Sequence, residues 1–135
     1  MHDRRDFLKT AAAAASVLAV TSAPLVFAAG KPEYTNIIFT KANPGRWAGK
    51  EVLHAPQVTM MGSMVMVATK HPMSDKHFIV RHTLVLGDGT YVGDKTFTPA
   101  DKPESSYKLP AGYKGKIYVT SFCNLHDFWL TEIMV

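Results

Sequence analysis

The sequence carries a single cysteine, Cys123, and three positions later a histidine, His126. A thiolate and an imidazole at that spacing can hold one metal ion from a single turn, with Asn124 and Leu125 crossing the corner between two strands. A second short loop, His71-Pro72-Met73-Ser74-Asp75-Lys76-His77, has a histidine at each end, and His54 stands two residues before Pro56. Histidines that bracket loops or turns at strand ends can converge on one point without disturbing a packed sheet. A lone cysteine is otherwise most often a small buried residue, and two histidines around a Pro-Met turn are as often solvated; their joint occurrence points to a metal. His82 stands apart. It lies five residues after His77, so if both belong to one strand their rings leave opposite faces, which makes His82 structural or exposed.

These residues need strand ends to carry them, and the pattern supplies strands. Tyr34 to Thr40 reads as a first strand, Asn43-Pro44-Gly45 as a turn, and Glu51 to Ala55 as an extended segment stopped by Pro56. Gln57 to Thr69, broken by Gly62-Ser63, reads as a hairpin whose second strand covers Met64 to Thr69. Phe78 to Leu86 and Thr90 to Phe97 flank the Gly87-Asp88-Gly89 turn. Thr98 to Ser106 reads as a loop, and Tyr107 to Leu109 as a short edge strand. Gly115 to Cys123 places Ile117, Val119, Ser121 and Cys123 on one face, and Phe128 to Val135 closes the chain. About seven antiparallel strands and no helix after the leader imply an all-β, immunoglobulin-like β-sandwich.

The 135 residues leave room for one domain behind a leader. Arg4-Arg5-Asp6-Phe7-Leu8-Lys9, then an uncharged, alanine-dominated run from Thr10 to Gly30, read as a twin-arginine export signal over residues 1–29, with the domain at 30–135. A retained membrane anchor fits less well, because the run leans on alanine and carries Pro24. The expected location is the periplasm or another exported compartment. Residues 1–29 hold Arg4, Arg5 and Lys9 against Asp3 and Asp6, so their removal takes the formal charge from +4 to +3. That balance is too weak to suggest nucleic acid, though it can steer a small anion. One cysteine also excludes a disulfide within the chain.

The segments His71-Pro72-Met73-x3-His77-Phe78-Ile79 and Cys123-Asn124-Leu125-His126-x2-Trp129 resemble the two signatures of superoxide reductases, the neelaredoxin and desulfoferrodoxin group. The resemblance implies a β-sandwich holding one mononuclear iron by four histidines and one cysteine: His54, His71, His77 and His126, with Cys123 axial. It implies one-electron reduction of superoxide to hydrogen peroxide, with electrons from a separate donor protein. It also implies a possible homo-oligomer, since family members often form tetramers through sheet surfaces. In such a site the thiolate would push electron density toward an open sixth position, and neutral imidazoles would keep ferrous iron accessible.

The sequence departs from the family at the first ligand, where Glu-Lys-His-x-Pro is usual. Here Leu53 and Val52 fill the lysine and glutamate places, and Lys50 and Glu51 are displaced toward the N-terminus. Lys50, or failing it Lys76, is expected to supply the charge that attracts superoxide, with Glu51 as the nearby carboxylate. Asp127 follows His126 where the family commonly has glycine, and is expected to face solvent. Two other readings remain. One is an exported iron-binding or electron-transfer module without rapid superoxide turnover. The other is a cupredoxin-like copper protein, suggested by five methionines between Met60 and Met73, although the first methionine after His126 is Met134, eight residues on.

Overall fold

The computed structural model describes residues 36–135; the twin-arginine segment and the boundary at residue 29 lie outside the described residues. The described chain forms β1 (Ile38–Phe39), a 3-10 turn (Gly45–Trp47), α1 (Glu51–His54), β2 (Gln57–Met61), β3 (Met64–Ala68), β4 (Ile79–Leu86), β5 (Tyr91–Thr96), β6 (Glu104–Lys108), β7 (Lys116–Cys123) and β8 (Asp127–Met134). They make two sheets, one in the order β1-β8-β7-β4-β5 and one in the order β2-β3-β6. The all-β sandwich expected from the strand pattern is therefore present. Its one parallel pair among the described residues is β1 with β8.

Alternation explains how the sheets face one another. Along β7 every second residue is buried, so Ile117, Val119, Ser121 and Cys123 all point inward. Ile117 and Val119 share one apolar core with Val65 and Val67 of β3, Tyr107 of β6, and Leu84, Leu86 and Leu109, whereas Cys123 packs with Ile79 and Phe97. A second cluster, Phe39, Ala55 and Trp129 with Trp47 against it, packs the opening segment onto β8.

Three expectations need correction. Thr98 to Ser106 is not loop throughout, because β6 begins at Glu104 and pairs along β3 from Ala68↔Glu104 to Met64↔Lys108. Its inward residues are Ser105 and Tyr107, and a serine in an inward place hides the apolar alternation that marks a strand. The first strand is only Ile38–Phe39 within the described residues. The segment before Pro56 is helical: Ala55 N–H donates to the Glu51 carbonyl at 2.9 Å, and the turn stops at Ala55, which takes the extended conformation (φ −68°, ψ 127°) that a following proline favours.

Candidate metal centre

Three segments bring one donor or two each to a common point. His54 ends α1, and His71 and His77 lie in the loop between β3 and β4. Cys123 ends β7, and His126 sits in the turn into β8. One donor atom from each of the five lies within 4.8 Å of every other. His54, His71 and Cys123 are buried, whereas His77 and His126 are partly exposed and form the side open to solvent.

The nitrogens crowd in a way that hydrogen bonding alone cannot satisfy. His54 Nε2 is 3.0 Å from His126 Nδ1, His126 Nδ1 is 3.0 Å from His77 Nε2, and His77 Nε2 is 3.0 Å from His71 Nε2. His54 Nδ1–H donates to the Lys50 carbonyl at 2.8 Å, which leaves Nε2 with its lone pair facing the centre. A single proton on His126 Nδ1 can serve one neighbour, not two. A cation among the lone pairs resolves the conflict. Donors at right angles about an ion some 2.1 Å away are about 3.0 Å from one another, so the spacing suits a first-row metal. Cys123 Sγ lies 3.9 Å from His71 Nε2 and 3.7 Å from His126 Nδ1, giving the set one soft ligand.

Electrostatics favours the same occupant. Burial pushes the His71 imidazole down to about 4, with the neighbouring His54 and His77 adding to the effect. Burial also lowers His54, against its bond to the Lys50 carbonyl, and lowers His126, with His77 and Lys50 next in effect. These rings are held in the neutral form that binds metals. Burial raises the Cys123 thiol, while the Leu125 and His126 backbone amides oppose that rise. A buried sulfur facing polar amides is poised for a cation to make it a thiolate.

Lys50 stands at the start of α1, and its charge bears on both His54 and His126, so its ammonium is within electrostatic reach of the open side. Glu51 turns back: its carboxylate accepts the Gly49 N–H at 2.9 Å, and this bond holds it below its ordinary range. Lys76 gives the site its carbonyl, which accepts from Asn124 Nδ2 at 3.0 Å. His82 is outside the centre and fully buried, not exposed. His77 precedes β4, so the two histidines do not share a strand and the parity argument has no hold.

Two positioning features have no clear mark in the sequence. Asn124 accepts the Phe78 N–H at 3.0 Å and donates to the Lys76 carbonyl, so one side chain brackets His77 on both sides. An asparagine between two ligands was visible, but nothing marked its partners across 46 or 48 residues. Asp127, expected to face solvent, keeps 39% of its side chain exposed and also accepts from Trp47 Nε1 at 3.0 Å and pairs with Arg46. It takes φ +65°, a left-handed conformation that asparagine and aspartate tolerate better than most residues. Trp47 meets the His126 ring edge-on at 4.6 Å, and Trp129 Nε1–H donates to the His126 carbonyl at 2.9 Å.

The cluster does not have the blue-copper layout. Four imidazoles exceed the two that such a site uses, and Met134 is 70% exposed on β8. The nearer Met73 uses its sulfur to accept the Ile79 N–H.

A family model described as Desulfoferrodoxin matches residues 49–132. A desulfoferrodoxin of Syntrophotalea carbinolica is 32% identical over 82 residues, covering 58% of this chain and 61% of that protein. A superoxide reductase of Pyrococcus abyssi is 27% identical over 106 residues, 67% of this chain and 92% of that one. Among solved structures, the superoxide reductase (neelaredoxin) of Ignicoccus hospitalis matches with a TM-score of 0.68 at 22% identity, over 78% of this chain and 98% of that one, a likeness of fold. The superoxide reductase of Treponema pallidum matches at 31% identity with a TM-score of 0.51, over 62% of this chain and 69% of that one.

Proposed function

Because the chain belongs to the desulfoferrodoxin family, we propose that it is a superoxide reductase, consuming one electron and two protons per superoxide to release hydrogen peroxide at a mononuclear iron. The observation that carries this reading is the convergence of His54, His71, His77, His126 and Cys123 within 4.8 Å from α1, the β3–β4 loop and the β7–β8 turn. Iron held there by these five residues would supply the electron.

The residues divide the remaining work. The His54 ring is fixed by its Nδ1–H bond to the Lys50 carbonyl, His77 by the Asn124 bracket, and the His126 turn by Trp129 and the Asp127 pairing. Buried Cys123, His71 and His54 close the inner side against water. The charge of Lys50 bears on His54 and His126, which supports a role for it in attracting an anion in place of the lysine usual one residue before the first histidine. Glu51, whose exposed carboxylate accepts the Gly49 N–H, is turned away from this task. The electron would come from a donor protein, as the resemblance implies, and Cys123 lies among the donors of the centre.

The test is direct. The purified chain is expected to hold about one iron and to react rapidly with superoxide. Once oxidised it should show a visible thiolate-to-iron band that Cys123→Ser removes. Iron bound without rapid superoxide turnover would favour a carrier instead.

We also propose export by the twin-arginine route, supported by Arg4-Arg5 before Phe7-Leu8-Lys9 and the uncharged run behind them. Replacing both arginines with lysine should strand the chain in the cytoplasm on fractionation. Unchanged export would refute the route.

A further inference from the structure

Beneath the metal centre the inner face of the sandwich changes character. His82 is fully buried on β4, yet it belongs to no ligand set. Its Nδ1 is 2.8 Å from Ser105 Oγ on β6, and its Nε2 is 2.8 Å from Thr69 Oγ1, one residue beyond the end of β3. Thr69 Oγ1 is in turn 2.9 Å from Ser121 Oγ on β7. All four side chains are buried, and they form one continuous chain, Ser105–His82–Thr69–Ser121.

The chain crosses from one sheet to the other. Thr69 and Ser105 come from the β2-β3-β6 side, whereas His82 and Ser121 are opposed residues on β4 and β7. Elsewhere the two sheets meet through Val65, Val67, Leu84, Leu86, Ile117 and Val119, whose contacts are non-directional and tolerate sliding. Hydrogen bonds of fixed length do not, and a fully bonded buried network selects one arrangement.

That arrangement matters because the ligands are divided between the same two sheets. Thr69 accepts the His71 N–H on its backbone carbonyl at 2.8 Å, so it sets where His71 begins. Ser121 precedes Cys123 by two residues on the same inward face of β7. The 3.9 Å between His71 Nε2 and Cys123 Sγ is thus a distance between the sheets, measured just above the network.

We propose that the Ser105–His82–Thr69–Ser121 chain is a positioning device that fixes the offset between the two sheets and thereby sets His71 against Cys123 for metal binding. The proposal rests on the metal-centre reading above. An imidazole with a hydroxyl on either side keeps both nitrogens bonded in the neutral form, and burial lowers its protonation to about 4, so the device holds across the neutral range.

The test uses the full chain, freed of metal and titrated with Co2+, whose thiolate absorption reports the Cys123 bond. Thr69→Val keeps the shape of the side chain and deletes its hydroxyl. We expect its Co2+ affinity to fall about 10- to 100-fold, as when partners of metal ligands are removed, with a shifted thiolate band. Thr69→Ser, which restores the hydroxyl, should return both toward the parent values. A purely structural role would lower the melting temperature of Thr69→Val and leave affinity and band unchanged, which would overturn the proposal. If Thr69→Val fails to fold, Ser121→Ala carries the same comparison. Failure of the parent chain to bind Co2+ would overturn the metal-centre reading, and this inference with it.

Discussion

The two halves of the sandwich interior are made by the same strands and differ in kind. Away from the site, β3, β4 and β7 present Val65, Val67, Leu84, Leu86, Ile117 and Val119; toward it the same strands lead to Thr69, His82, Ser121 and Cys123. The first half is stabilised by burial that any well-fitting apolar residue supplies. The second half buries polar groups, which costs stability unless each finds a partner. Stability and chemistry are therefore separated along the strands.

The largest effect that would test this separation comes from the apolar half. Leu84→Ala leaves a void where the side chain is wholly buried, and we expect a loss of about 3–5 kcal/mol in unfolding free energy, read by denaturant titration. Iron content per chain should stay the same. Reduced iron content at full folding would show that the two halves are not separate.

Metal removal probes the other half. With free iron about a thousandfold above its Kd, binding should add about 4 kcal/mol to stability. Hydrogen exchange after chelation should rise at Thr69–Phe78 and Asn124–Asp127 while the amides of β3, β4 and β7 in the apolar half remain protected. Uniform loss of protection would break the comparison.

The third effect is a pH dependence. His82 is lowered from about 6.5 in the unfolded chain to about 4 when folded, because burial disfavours its charged form. The unfolded chain then binds the extra proton between those values. The stability contributed by His82 is present above pH 6.5 and is lost as pH falls toward 4, by up to about 3 kcal/mol. His71 acts in the same direction in the metal-free chain, and Lys95 is the cation that bears on His82. His82→Gln should flatten the slope of stability against pH, and an unaltered slope would count against the assignment.

Smaller effects belong to the rim. Asn124→Ala removes the bracket around His77, and we expect metal affinity to fall about 10- to 100-fold with little change in melting temperature. Lys50→Ala should slow the reaction with superoxide a few-fold and weaken its dependence on salt, without altering iron content. An unchanged rate would move the steering role to another cation.

Much of this was legible in the sequence because its signals are local. Strict alternation marked β7 and placed Cys123 on the inward face, and the paired loops 71–77 and 123–126 showed their ligands by type and spacing. His54 was legible as a member of the set but not in its setting. A four-residue helix stopped by proline leaves little periodicity, and Val52 and Leu53 point outward. β6 was read short because Ser105 fills an inward place for a polar reason, its bond to His82, that lies 23 residues away.

The sequence by itself determined the donor types, the inward face of each long strand and the family to which the motifs point, since these depend on residue identity and a period of two. Tertiary structure alone decided which side chains hold the donors in place. Asn124 meets Lys76 and Phe78, Asp127 meets Arg46 and Trp47, and His82 meets Thr69 and Ser105 only after the strands have paired and the sheets have closed. A hydrogen bond is specified by distance and direction in space, and residues far apart in the chain acquire both only through the fold.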